Sequence, residues 1–254
     1  MTLVVLGDLM VDVVAQVGEM IVHGGDTPAR ISVSGGGSAA NVAAWAAALG
    51  APVALVCNVG DDERGRAALA ELEGVEVHAR VDPERPTGTC VVIVEPGGER
   101  TMHSDPGAND APLGEIPLGA HLHVAGYALV RDGPRASALS AIERARAAGM
   151  SVSVDPSPLV RPGVIPPVDL LLPNEREAEG LGGEMAVKLG ARGARWGDVH
   201  VPAEPVEVVD TTGAGDAFAA GLLAARLAGA DREAALRAGC AAAARAVAQV
   251  GARP

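Results

Sequence analysis

The sequence predicts an α/β fold of three layers, with helices on both faces of a mostly parallel sheet and a small antiparallel β sheet attached. Three observations predict it. Short runs, apolar or nearly so, recur at Leu3–Leu6, Val53–Val56, His121–Val124, Ser151–Val154, Leu170–Leu172 and Met185–Leu189. Such runs suit strands buried on both faces. Helical patterns lie between several of them, at Ala39–Leu49, Gly65–Leu72 and Arg135–Ala148, and strands alternating with helices build a parallel sheet covered on both sides. The third observation is a break in that rhythm: residues 10–34 and 87–105 are strand-rich and contain no helical pattern.

Each element has its own warrant. Leu3–Leu6 stops at Gly7-Asp8, too short for the apolar core of a signal peptide or for a membrane span. Ile31–Ser34 alternates apolar and polar residues, as a strand with one wet face does. Thr89–Glu95, Pro96-Gly97-Gly98 and Glu99–His103 read as a hairpin whose turn is supplied by Pro and Gly. Pattern alone leaves two readings of these pieces, an edge hairpin or a small sheet projecting from the main body. Between Leu172 and Met185 stand Pro173, Gly180, Gly182 and Gly183. They leave room for one or two helical turns, where a parallel crossover usually takes a dozen or more residues. An apolar helix runs from Ala217 to about Leu227.

Composition narrows the function classes. Hydrophobic residues make up 48% and charged residues 20%, which supports a packed core rather than disorder. Aromatics are 2%, so the core is built from Ala, Val and Leu, and a ring-shaped ligand meets few stacking partners. The formal charge of -12 opposes nucleic acid and anionic membranes as partners. The Ala-rich stretch from Ala217 to Val250 is interrupted by Arg226, Asp231, Arg232, Glu233, Arg237 and Arg245, so it is not a span either. Cys57, Cys90 and Cys240 are dispersed and odd in number. They form neither a metal motif nor a disulfide framework, and a reducing cytoplasm is the expected setting. His121 and His123 share one face of a strand, but with no third ligand nearby packing outweighs metal binding. Trp45 falls on the apolar face of a helix. Tyr127 and His103 lie near the expected cleft, and Arg131 and Arg161 are either phosphate contacts or solvated charges.

The chemistry concentrates at Thr211-Thr212-Gly213-Ala214-Gly215-Asp216, directly before the helix that starts at Ala217. Glycines let a backbone approach a ligand closely. The N–H groups of a first helical turn lack partners and carry partial positive charge, so they suit phosphate. Asp216 places a carboxylate beside that anion site, although an Asp at a helix start is also a common cap.

The run Asp210-Thr211-Thr212-Gly213-Ala214-Gly215-Asp216-Ala217-Phe218 resembles the C-terminal signature of the PfkB (ribokinase-like) family of carbohydrate kinases. Gly35-Gly36-Gly37-Ser38-Ala39-Ala40-Asn41, followed by Ala43–Gly50, resembles the family's N-terminal glycine-rich signature. Gly60-Asp61-Asp62-Glu63-Arg64-Gly65, Gly107-Ala108-Asn109, the pair Asn174 and Glu177, and Lys188-Leu189-Gly190 through Gly193 follow in the family's order. The resemblance covers nearly the whole chain.

It implies a ribokinase-like α/β/α core at residues 1–9, 35–86 and 106–254, with a β lid at 10–34 and 87–105 that also pairs two chains as a homodimer. It implies an ATP-dependent kinase acting on a hydroxyl of a small sugar, a furanose or related carbohydrate. Asp216 would be the catalytic base, with Gly213, Ala214 and Gly215 giving N–H groups to the transferring phosphoryl. Asp12, Gly36, Gly37 and Asn41 would contact the sugar, with Asp8 a weaker candidate. Lys188, Gly190, Gly193 and Thr212 would bind the nucleotide. Asn174 and Glu177 would hold magnesium through water, although Asn with Glu three residues on is equally a helix-capping pattern. A monovalent cation belongs to the same set of expectations.

Ribokinases usually carry a lysine where Ser38 stands and an acidic ribose contact where Gly126-Tyr127 stands, so the resemblance does not imply ribose. A nucleoside kinase of the adenosine or pseudouridine type is the alternative enzyme. A non-catalytic sugar or nucleotide sensor is the alternative outside enzymes, and an intact Asp216 argues against it.

Overall fold

The computed structural model describes residues 1–22, 24–96 and 100–254. Its strands run in chain order as β1 (Leu3–Leu6), β2 (Met10–Val17), β3 (Ala29–Gly36), β4 (Val53–Gly60), β5 (Glu76–Asp82), β6 (Thr89–Val94) and β7 (Arg100–Asp105). They continue as β8 (His121–Ala125), β9 (Ser151–Asp155), β10 (Leu170–Leu171), β11 (Ala186–Lys188), β12 (Ala194–Trp196) and β13 (Val199–Val201). The helices are α1 (Ser38–Ala48), α2 (Glu63–Ala70), α3 (Tyr127–Val130), α4 (Asp132–Ala147), α5 (Ala214–Leu227) and α6 (Arg232–Val247).

The apolar runs form a six-stranded parallel sheet in the order β10-β9-β8-β1-β4-β5. Leu3 pairs in register with Val53 on one side and His121 on the other. Alternate side chains of β1 enter different cores. Leu3 and Val5 pack with Trp45, Phe218, Leu222 and Leu236 under α1, α5 and α6. Val4 and Leu6 pack with Leu122, Val124, Leu129 and Ile142 under α3 and α4. Alanine dominates the buried faces of α1, α5 and α6, which lets these helices approach closely despite the shortage of aromatics.

The chain winds outward from β1 to β4 and β5, then returns to place β8 on the other side of β1. That reversal opens a crevice at the C-terminal strand ends, where ligands collect in open α/β sheets.

β2, β3, β6 and β7 form their own four-stranded sheet in the order β3-β2-β6-β7. The two outer pairs are antiparallel, as expected, and the middle pair β2/β6 that joins them is parallel, with Val11 opposite Thr89. A separate sheet, not an edge hairpin of the main one, is therefore what these segments build. Gly97 and Gly98 of the expected turn and Glu99 of the expected second strand lie outside the described residues.

The expected strand at Met185–Leu189 exists, in a different setting. It touches the end of β10 through parallel bridges at Leu171–Met185 and Asn174–Lys188, then serves as β11 of a three-stranded antiparallel sheet. The preceding segment forms turns rather than a helix, because its Pro and Gly residues interrupt the pattern. No helix among the described residues is long and apolar enough to cross a membrane.

Candidate active site

A cleft of about 960 Å³ opens at the C-terminal ends of the main sheet, between the four-stranded sheet and the loop before α5. Gly213 starts that helix in the left-handed region, with φ +73. A Cβ there would fall 2.5 Å from Ala252 O, so both backbone angle and space demand glycine. Asp210 fixes the loop from below. Its Oδ1 accepts from Thr212 N at 2.9 Å and Thr212 Oγ1 at 2.7 Å, and its Oδ2 accepts from Gly251 N at 3.0 Å. Burial works against the ionised Asp210 carboxylate, but those bonds outweigh it and hold its pKa below the usual range.

Asp216 lies in the first turn of α5, facing the opening turn of α1. Ser38 Oγ donates to its Oδ1 at 2.8 Å and Asn41 Nδ2 donates to its Oδ2 at 2.9 Å. Two bonds leave a carboxylate with lone pairs to spare. Burial pushes Asp216 up to about 6, against the pull of Asn41, Ser38 and Lys188. It is therefore ionised at neutral pH and basic enough to take a proton.

The amide nitrogen of Asn41, a residue expected at the sugar, secures Asp216. The Oδ1 of Asn41 is buried without a partner among the described residues.

Asp12 lines the cleft from the four-stranded sheet. Burial raises it to about 6, with Arg253 opposing. Gly36 is not part of the cleft wall. It backs Asp12, whose Oδ2 would sit 2.2 Å from any Cβ at position 36. Gly37, Gly190, Gly193, Thr212, Asn174 and Glu177 all line the cleft. The Thr212 hydroxyl donates to Asp210 and accepts from Arg100 Nη1 at 3.1 Å, beside Thr211 Oγ1 at 2.8 Å from the same nitrogen. Asn174 and Glu177 cap each other: Asn174 N donates to Glu177 Oε2 at 2.8 Å, and Glu177 N donates to Asn174 Oδ1 at 2.9 Å. The capping pattern legible in the sequence is thus realised, at a place where both residues face the cleft.

Lys188 reaches across β9. Its Nζ donates to Asp155 at 2.6 and 2.8 Å, and it lies beside Gly215, within 3.4 Å of where a Cβ would be. Burial raises the Asp155 pKa against the nearby ammonium.

Several contributors escaped the sequence. Ser38 and Asp155 carried no spacing signal of their own. Arg253 is the clearest case. Its Nη2 donates to Gly36 O at 3.0 Å, and its Nη1 donates to Ala68 O and Glu71 Oε2, each at 3.1 Å. Glu71 Oε2 in turn accepts from Gly35 N at 2.8 Å. Ala252 O accepts from Trp45 Nε1 at 2.9 Å, so the last residues bind the glycine run, α1 and the loop before α5 together.

Other sequence candidates fall elsewhere. His121 and His123 bond Ser151 and Ser153 across β8 and β9. Burial lowers them to about 4 and about 3, so they are neutral packing groups. His103 alternates with Met102 and Ser104, which line the cleft, and so lies on the opposite face of β7. Arg161 is exposed away from the cleft wall, whereas Tyr127 and Arg131 are part of that wall.

The family model described as pfkB family carbohydrate kinase matches residues 1–186 and 180–254. The chain belongs to that family. It is a carbohydrate kinase, transferring a phosphoryl group to a hydroxyl. A fructokinase of Klebsiella pneumoniae is 32% identical, over 87% of this chain and 82% of its own length. An ATP-dependent ribose-1-phosphate kinase of Halopiger xanaduensis is 35% identical, over 80% of this chain and 77% of its own. Among solved structures, Arabidopsis thaliana ribokinase complexed with ribose and ATP superposes with a TM-score of 0.83 at 27% identity, covering 98% of this chain and 93% of that one.

Proposed function

We propose that this kinase uses ATP to phosphorylate a hydroxyl of a small sugar, with Asp216 as general base. The observation that carries the reading is a basic carboxylate, oriented by Ser38 and Asn41, at the N-terminus of α5 inside the cleft. The N–H groups of the first turn after Gly213 meet the negative charge of the migrating phosphoryl, that of Ala214 giving up a long bond of 3.4 Å to Thr211 O. Asp216 takes the proton of the attacking hydroxyl, a role typically worth about 10²–10⁴ in rate. Asp12, in the cleft wall, accepts hydrogen bonds from sugar hydroxyls, with Asn41 in the same wall. Lys188, Gly190, Gly193 and Thr212 face the nucleotide.

Magnesium fits the Asn174–Glu177 corner as a hydrated ion. The donors there are hard oxygens, and no group of three or more His, Cys, Asp or Glu gathers to grip a metal among the described residues. When bound, it neutralises charge on the phosphate oxygens.

The four-stranded sheet serves as a lid over the acceptor, because the face carrying Met10, Asp12, Cys90, Met102 and Ser104 looks into the cleft. Its other face exposes Ile31, Val33 and Val91, an apolar surface suited to a second copy. A monomer by light scattering at working concentration contradicts that pairing.

ADP release across pentoses, hexoses, keto-sugar acids and nucleosides tests the substrate class. Saturable turnover with a sugar or sugar acid is expected. Turnover confined to nucleosides replaces this reading with the nucleoside kinase, for which the cleft offers Tyr127 as a stacking wall.

A further inference from the structure

Three cations line the cleft: Arg100, Arg131 and Lys188. Lys188 is taken by Asp155, and Arg100 by the hydroxyls of Thr211 and Thr212. Arg131 differs. Its side chain is 17% exposed, its guanidinium lies over the Tyr127 ring with its central carbon 5.5 Å from the centroid, and it makes no side-chain hydrogen bond among the described residues. The nearest carboxylate oxygen is Asp110 Oδ1, at 3.9 Å from Nε, beyond hydrogen-bond reach. A guanidinium carries five donors in a planar fork, and leaving them unmet away from water is costly.

Arg131 also stands at the acceptor end. Asp110 closes the short turn Gly107–Asp110. The neighbouring Asn109 bonds Leu9 through both its oxygen and its nitrogen, in the link between Asp8 and Asp12. Tyr127 lines the same cleft as Asp8, Arg131 and Asp216. Arg131 therefore borders the same cleft as the carboxylates Asp8 and Asp12.

We propose, resting on the sugar kinase reading above, that the acceptor carries an anionic group, a carboxylate or a phosphate, and that Arg131 is the residue that binds it. A planar guanidinium matches the oxygens of either group in a two-pronged contact. Tyr127 supports its rear face. The carboxylates Asp8 and Asp12 remain for the uncharged part of the sugar.

The test is calorimetric, on the full chain saturated with ADP and magnesium, with probes paired to differ mainly in charge. Gluconate is compared with glucitol, and ribose 5-phosphate with ribose. One charged probe is expected to bind at least about 10-fold more tightly than its neutral twin. The gluconate arm identifies a carboxylate and the ribose 5-phosphate arm a phosphate. Arg131→Leu abolishes that preference, while Arg131→Lys keeps a few-fold remnant as a point charge. ADP affinity and the melting temperature establish that both variants are folded, and the wild-type comparison needs no variant at all. Equal or weaker binding of both charged probes, or a preference that survives Arg131→Leu, overturns the inference. If neutral sugars are nevertheless phosphorylated, the kinase reading stands without it. If no sugar of either kind supports ADP release, both fall.

Discussion

Two walls of the cleft are built on opposite terms. The loop before α5 is held from every side: Asp210 ties it to Gly251, Ala252 packs under Gly213, and Asp216 is bonded to two residues of α1. Among the described residues, the four-stranded sheet has Met10, Cys90 and Val92 as its own buried cluster and leaves Ile31, Val33, Val91 and Met102 open. Phosphoryl transfer depends on fixed geometry at the base and the anion site. Acceptor entry depends on a wall able to open. On the proposed reading, the difference teaches that the tightly held wall is the one where the proton and phosphoryl would move, and the sparsely packed wall the one where the sugar would enter.

The largest effect expected from breaking this contrast is at Gly213. Gly213→Val forces a β-branched residue into the left-handed region against Ala252, a conflict of about 3 kcal/mol or more. Turnover should fall by more than about 10³ and the melting temperature should drop, both read on the purified variant. Normal activity would mean that the loop is not held as described.

Next is Arg253→Met, which frees the Gly35–Gly36 strand end and removes the cation opposing protonation of Asp12. A rise of about 10-fold in the acceptor KM with kcat changed less than threefold is expected. The acid limb of kcat/KM should also shift to higher pH, a readout that a purely structural role does not move.

The pH profile of the wild type follows in size. Asp216 and Asp12 are both raised to about 6, and on the proposed reading both act as carboxylates. kcat/KM should therefore be flat above about pH 7 and fall below 6 with a slope steeper than one, the two apparent values belonging to the pair. Stability runs the other way. A carboxyl raised above its unfolded value stabilises fully below about pH 4, and that contribution is lost as pH rises through 6. Asp216→Asn should melt about 4 °C above wild type at pH 8 and level with it at pH 4.

The smallest effect sharpens the comparison without mutation. Amide exchange in β3 and β7 should be faster than in β1 and β8. Equal protection would remove the contrast between the two walls.

Much of this was legible in the residues. The runs that become β1, β4, β8 and β9 are apolar or nearly so because both faces are covered, and the glycine-rich turns announce their ligand through backbone geometry. The three-residue strands β11, β12 and β13 are too short for any period to register. The parallel pairing of β2 with β6 joins residues some eighty apart in sequence, as Val11 with Thr89, and no local pattern encodes it. Arg253 meets Gly36 across 217 positions. Asp216 was visible as a candidate base, while the two residues that orient it became evident only once α1 and α5 met.

The central claim is that the Asp216 carboxylate accepts the acceptor's proton. Single-turnover phosphoryl transfer by Asp216→Asn, with sugar and ATP saturating, addresses it most directly. The account predicts a rate at least about 100-fold below wild type, with sugar and ADP affinities within threefold. Transfer at the wild-type rate would contradict it.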